Sequence, residues 1–236
     1  MPSARQQDMM QLMLSLRQHG VTDARVLGAF EATPRELFVE PTFESRAYAD
    51  SALPISCGQT ISQPSVVGIM TQALDVTPRC KVLEVGAGSG YQAAILARLA
   101  RRVYAIERHR GLALAARARM EKLGLANVTI RTGDGTRGWP EQAPFDRIIV
   151  SAAAEDAPST LLEQLRTGGI MVLPVGQSDE VQQLIRIDKT EDGPSYRELL
   201  AVRFVPLLAG MPDDPGGPGG PGGPGGPSGP GEAGGR

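Results

Sequence analysis

Histidine and cysteine are almost missing from this chain: His19 and His109, Cys57 and Cys80, in 236 residues. The cysteines make neither a C-x-x-C pair nor a disulfide framework. So few thiols and imidazoles do not build a zinc site, and no metal is assigned. An excess of charge of one sign is lacking too. The net charge of -2 removes the electrostatic case for a nucleic-acid partner. No apolar run approaches the roughly 18 residues of a membrane helix. The N-terminus has no basic flank followed by an apolar core and a small-residue cleavage site, so no secretory signal is read. These absences lead to the expectation of a cytoplasmic protein with no metal, membrane or nucleic-acid partner. What is present is ordinary: 41% hydrophobic residues, enough for a sizeable core, in a length that suits one large domain or two small ones.

The most informative stretch is Val82-Leu83-Glu84-Val85-Gly86-Ala87-Gly88-Ser89-Gly90-Tyr91. Val82, Leu83 and Val85 form the short apolar run of a strand covered on both faces. Gly86, Gly88 and Gly90 then crowd a turn that opens a helix over 92–100. Glycine there permits positive φ and lets another molecule approach the backbone. In open α/β sheets such a turn binds nucleotides. The third glycine comes one residue too early for the dinucleotide fingerprint, and Tyr91 holds the slot that pattern needs. No lysine follows as in a phosphate-cradling loop. A second strand over 102–106 ends in Glu107, about 20 residues past the first glycine, where a carboxylate can take ribose hydroxyls. An adenosine ligand without phosphates, such as S-adenosylmethionine, fits this set.

Elsewhere the periodicity predicts a helix over 4–19, with Met9, Leu12, Met13 and Leu16 on one stripe, Ser3 at its start and Gly20 at its end. A second helix is expected over 23–32, capped by Thr22 and stopped by Pro34. Residues 50–64 are polar, bear Gly and Pro and lack a period, which marks a loop. No strand is read N-terminal to it. Pro64 then starts a helix to about residue 75. Thr60 and Ser62 have two open readings: simple N-caps, or a hydroxyl and amide cluster that favours an anion. Alternating units follow: a helix over 109–123, strands over 128–132 and 145–151, a helix over 159–165 and a strand over 169–175. They imply a parallel, doubly wound sheet. Ala152, Ala153 and Ala154 leave room for a ligand. Strands over 181–188 and 199–204, joined at Gly193-Pro194, read as an antiparallel edge hairpin. From Met211 the repeated Gly-Gly-Pro reads as disorder.

Several blocks, in this order, resemble the protein-L-isoaspartate (D-aspartate) O-methyltransferase family: Arg35 to Val39, Ala47-Tyr48-Ala49-Asp50, Leu53-Pro54-Ile55, Gly58-Gln59-Thr60-Ile61-Ser62-Gln63-Pro64, Val82 to Tyr91, Gly133-Asp134-Gly135 and Leu173-Pro174-Val175-Gly176. The resemblance covers roughly residues 10–210, and the block ending in Ser62-Gln63-Pro64 is its specific part. It implies a Rossmann-like class I methyltransferase fold, which with the residue patterns divides the chain into an N-terminal helical subdomain and substrate loop over 1–64 and the methyltransferase domain over 65–210; the Gly/Pro-rich tail over 211–236 lies outside the family pattern. It implies S-adenosyl-L-methionine as cofactor, with S-adenosyl-L-homocysteine as product. The implied cofactor contacts are Glu84, Gly86, Ala87, Gly88, Ser89 and Gly90 in the turn, Glu107 and Arg108 at the ribose, and Asp134 and Gly135 at the adenine. Ser62 matches the family's active-site serine, and Gln59, Thr60 and Ile61 complete the substrate loop. Ser56 and Cys57 depart from the family pattern, and Cys57 is read as structural.

The implied acceptor is the free α-carboxylate of an isoaspartyl or D-aspartyl residue in a damaged protein. It is already ionised at neutral pH, so no base is required. Donor and acceptor charges neutralise in the transition state, so hydroxyls and backbone amides suit the acceptor better than an arginine clamp. The implied partners are isoaspartyl proteins and peptides, met by a monomer. Three other readings use the same fold or turn: a methyltransferase dedicated to an aspartate of one peptide, a cofactor binder without turnover, and a nicotinamide oxidoreductase.

Overall fold

The computed structural model describes residues 4–177 and 180–212. Two helices lead, α1 (Ala4–Gln18) and α2 (Ala24–Glu31), followed by 3-10 turns at Arg35–Phe38 and Pro41–Arg46. Strands β1 (Leu53–Pro54) and β2 (Thr60–Ile61) form a small antiparallel pair, and α3 (Pro64–Leu74) follows. The main alternation is β3 (Lys81–Val85), α4 (Tyr91–Ala97), β4 (Arg102–Glu107), α5 (Arg110–Lys122), β5 (Val128–Thr132), β6 (Phe145–Val150), α6 (Ser159–Gln164) and β7 (Leu165–Val175). The edge strands β8 (Gln182–Thr190) and β9 (Gly193–Val202) close the order.

The seven-stranded sheet runs β5-β4-β3-β6-β7-β8-β9. It is parallel from β5 to β7 and antiparallel beyond. The chain leaves β3 toward one edge and later returns to its other side at β6. That reversal of strand order is where open α/β sheets bind ligands, outside the carboxyl ends of the strands.

Strand periodicity of two divides the core. Val82, Ile149 and Val172 face the layer holding α1 to α5. Their neighbours Leu83, Val85, Ile148, Val150, Met171 and Leu173 face the layer holding α6. Both layers are buried, so Val82, Leu83 and Val85 of β3 and Ile148 to Val150 of β6 are apolar on both faces, with Glu84 the buried exception on β3. Full burial of each such side chain stabilises by about 1.5–3 kcal/mol. Among the described residues no helix is long and apolar enough to cross a membrane.

Several local expectations need correction. The stretch over 50–64 is not all loop: Leu53 pairs with Ile61 and Pro54 with Thr60, two-residue strands too short to show a period. α2 is capped by Asp23, not Thr22, because the Asp23 carboxylate reaches the Arg25 N–H. α4 begins at Tyr91 and stops at Ala97, since Gly90 at φ +89° supplies the entry turn. β7 starts four residues early, before a register shift opposite Phe145 and Arg147. β9 also starts early: Pro194 pairs with Lys189, and the hairpin turns at Glu191-Asp192. Edge position tolerates that proline because its missing N–H faces no partner. Ser3 and the Gly-Gly-Pro stretch from residue 213 lie outside the described residues.

Candidate active site

The glycine turn has the shape its composition requires. Gly86, Gly88 and Gly90 sit at φ +86°, +53° and +89°. A Cβ on Gly90 would come within 3.1 Å of both Ala116 and Met120, so this glycine is the one that lets α4 and α5 meet. Gly86 and Gly88 face more open space, with nothing closer than 3.6 Å to such a Cβ. Their backbone therefore remains approachable from the cavity side. Gly86 and Ala87 donate their N–H groups to the Ile106 carbonyl, which pins the turn to β4. Ser89 is buried and its hydroxyl accepts from the Tyr91 N–H, so it closes the turn from within.

Two carboxylates flank this turn. Glu107, buried at the end of β4, accepts from the Gly88 N–H at 2.8 Å and from the His109 N–H at 2.9 Å. Glu84 is fully buried on β3, and neither of its oxygens has a hydrogen-bond partner among the described residues. Burial, reinforced by the charge of Glu107, pushes its carboxyl well above the ordinary glutamate range. An orphaned carboxylate beside an open glycine backbone fits a cationic ligand, and the amino group of an adenosyl amino acid is one. A second cavity beside the turn is lined by Gly86, Glu107, Arg108 and Gly135, with Val205 to Leu208 across it.

Asp134 behaves differently. Its carboxylate accepts from the Thr136 N–H and hydroxyl and from the Gly210 N–H. Burial pushes its carboxyl up, but those hydrogen bonds outweigh it and hold the group below its usual range. Asp134 thus caps one turn and fastens the C-terminal segment, beside the cavity that Gly135 lines.

The space around Ser62 is assembled from distant pieces. A cavity of about 570 Å³ lies between the Ser62 loop, the start of α3 and residues 200–205, with His19 on its wall. A smaller cavity joins it to the glycine turn, lined by Ser62, Glu84, Gly86, Gly88 and Gln92. Thr60 and Ser151 line all three cavities, so the compartments meet at these hydroxyls. Gln59 and Thr60 also face the cavity at Glu107, while Ile61 is buried and lines the smaller cavity at the glycine turn. Neither Thr60 nor Ser62 caps α3. Gln63 holds that position without a side-chain cap, and Asp50 supplies the anion instead, taking the Ser65 N–H at 2.8 Å and the Gln63 amide at 3.0 Å. The Ser62 hydroxyl makes no hydrogen bond to the described residues and opens onto the cavity.

Ser151, His19 and the segment over 203–208 were missed from sequence. Ser151 ends a buried strand, and only the sheet's order places it opposite Gly86. Of the three alanines after it, Ala152 lines the cavity at Glu107, while Ala153 and Ala154 are tied to Val205 and Pro174 by backbone hydrogen bonds. Cys57 is not a packed structural residue: it is exposed at the tip between β1 and β2, at φ +61°. Ser56 beside it donates to Glu40.

Residues 6–211 match the family described as protein-L-isoaspartate(D-aspartate) O-methyltransferase. The chain belongs to this family. A protein-L-isoaspartate O-methyltransferase from Ruegeria pomeroyi is 65% identical over 205 residues, 87% of this chain and 95% of the relative. One from Paracoccus denitrificans is 63% identical over 202 residues, 86% of this chain and 94% of the relative. A solved protein-L-isoaspartate O-methyltransferase is 29% identical, with a TM-score of 0.76 over 85% of this chain and 66% of that one. A Plasmodium falciparum structure named for the same enzyme, solved with S-adenosyl-L-homocysteine, is 24% identical, with a TM-score of 0.72 over 84% of this chain and 97% of that one. The expected class I methyltransferase fold is therefore the observed one.

Proposed function

We propose that this protein transfers a methyl group from S-adenosyl-L-methionine to the free α-carboxylate of L-isoaspartyl and D-aspartyl residues in damaged proteins and peptides. The observation that carries the site assignment is one continuous space. Ser62, the unpartnered Glu84 and the open glycine backbone line the same small cavity, between the recess at Glu107 and the larger groove at the Ser62 loop. The bound cofactor supplies a methyl group already activated by its sulfonium.

Every remaining task falls to the chain. Glu84 takes the cofactor's amino group and Glu107 the ribose, with Arg108 and Gly135 along the same wall. Ser62 orients the acceptor carboxylate, and Thr60 and Ser151 offer further hydroxyls at the junction. The acceptor is ionised, so no proton need be removed. Arg203 lies at the groove but is exposed, so its charge is screened by water. Alignment of oxygen, methyl and sulfur, with water excluded, supplies roughly 7–11 kcal/mol of the barrier. In this reading residues 1–64 form the helical subdomain and acceptor loop, residues 65–210 the methyltransferase domain, and the enzyme works as a cytoplasmic monomer without nucleic-acid or membrane partners.

The test uses methyl-labelled cofactor and two peptides that differ only in one isoaspartate or aspartate. Base-labile label on the isoaspartyl peptide alone is the expected result. Label on neither peptide, with cofactor still bound, would contradict the proposal and favour a dedicated acceptor.

A further inference from the structure

Arg35 is the most deeply buried cation among the described residues, with no exposed surface. Among the described residues no carboxylate forms an ion pair with it, and Asp50 acts on its charge only at longer range. Its Nη2 donates to the Ser62 main-chain carbonyl at 2.8 Å, and its guanidinium lies 4.7 Å from the centre of the Tyr91 ring. Nε and Nη1 have no hydrogen-bond partner. Burying an unpaired cation is costly, and one neutral acceptor with an aromatic face returns only part of that cost. A fold seeking stability alone would place an apolar side chain here.

The contacts name what the cation joins. Ser62 belongs to the acceptor loop. Tyr91 is the first residue after the glycine turn, and its ring is wedged against Phe30 and Phe38 at 6.0 and 5.3 Å. The 3-10 turn that carries Arg35 is itself tied to the glycine turn by Arg119, which donates to Leu37 O at 2.8 Å and to Ser89 O at 3.1 Å. The segment over 35–38 is thus a strut between the two halves of the active site. Only a planar guanidinium both stacks on a ring and donates in its own plane; an ammonium does not.

We propose that Arg35 is a positioning residue for methyl transfer: through the Ser62 carbonyl and the Tyr91 ring it sets the distance between the acceptor loop and the glycine turn. The inference rests on Ser62 as the group that orients the acceptor. An ångström of misplacement at such a junction costs about 100-fold in rate. Arg35 touches neither reactant, so its loss slows turnover without weakening cofactor binding.

The test compares Arg35→Met, which fills the space without charge, with Arg35→Lys, which keeps charge but not the plane. The expected result is a kcat lowered about 10- to 100-fold in both, with S-adenosyl-L-homocysteine affinity within about twofold of the parent and an unchanged thermal midpoint. Arg35→Ala should regain rate in dilute guanidinium ion and not in methylammonium. Parental kcat in Arg35→Met, full rescue by lysine, or a rate loss that tracks lost cofactor affinity and thermal stability would overturn the proposal. Ser62→Ala measured alongside separates the two readings. Full turnover there with a slow Arg35→Met would remove the Ser62 role and leave Arg35 acting through the loop's backbone.

Discussion

The two halves of the site are built by different physics. In the proposed site the cofactor half is mostly local: one strand, one turn and one helix, with three glycines at positive φ, though residues 205–208 close its outer wall. The carboxylate proposed for the ribose, Glu107, comes from the adjacent strand and among the described residues accepts from the Gly88 and His109 N–H groups. The acceptor half is not local. Its loop is held by Asp50 at the start of α3, by Arg35 beneath Ser62 and by Glu40 at Ser56. The far wall comes from residues 200–205. A cofactor common to many enzymes needs a rigid cradle, whereas a loop carried by side-chain contacts can be reshaped for a particular acceptor.

Substitutions should therefore separate the halves. The largest effect is expected at Gly90. Gly90→Val adds strain of about 1–3 kcal/mol at positive φ and overpacking of about 1–3 kcal/mol against Ala116 and Met120. Chemical denaturation should show both losses together, and a variant as stable as the parent would mean the turn is looser than it looks. Glu107→Gln comes next. It replaces a charged acceptor of two backbone N–H groups, worth about 1.5–3 kcal/mol, so calorimetry should show about 10- to 100-fold weaker S-adenosyl-L-homocysteine binding.

Glu84 sharpens the comparison through pH. Its carboxyl keeps a proton where an ordinary glutamate has lost it. Folding therefore binds a proton, and ligand-free stability contributed by this group falls as pH rises from the ordinary glutamate range to the raised value. An ammonium placed against Glu84 favours the ionised form, so binding releases a proton and cofactor affinity rises with pH across that window. Titrations in buffers of different ionisation heat measure the release, and Glu84→Gln should abolish it. Asp50→Ala is the smallest expected effect. Losing the anion at the start of α3 costs about 0.5–2 kcal/mol, and it should raise KM for the peptide while leaving cofactor affinity alone.

The same contrast explains what could be read from the chain. β3, the glycine turn and Glu107 follow from local pattern, because apolar runs and glycine spacing act within a few residues. The antiparallel edge was legible too, though not its turn at Glu191-Asp192. The part played by Ser62 came from resemblance, since polar loop residues have no periodicity. Ser151, His19 and the segment over 203–208 have no local signal at all. Ser151 and that segment reach the site through strand order and through Gly210 fastened to Asp134, while His19 arrives from the end of α1, beside Asp50. Asp50 was visible as part of a motif, but its service to the Ser65 N–H depends on the path of the loop.

The most direct measurement is steady-state turnover of an isoaspartyl peptide by Ser62→Ala, paired with S-adenosyl-L-homocysteine affinity on the same sample. Two separable halves predict kcat lowered at least about tenfold, as for one lost hydrogen bond to a charged group, with affinity within about twofold of the parent. Unchanged turnover, or turnover and affinity falling together, would contradict the division of the site into a cofactor cradle and an acceptor loop.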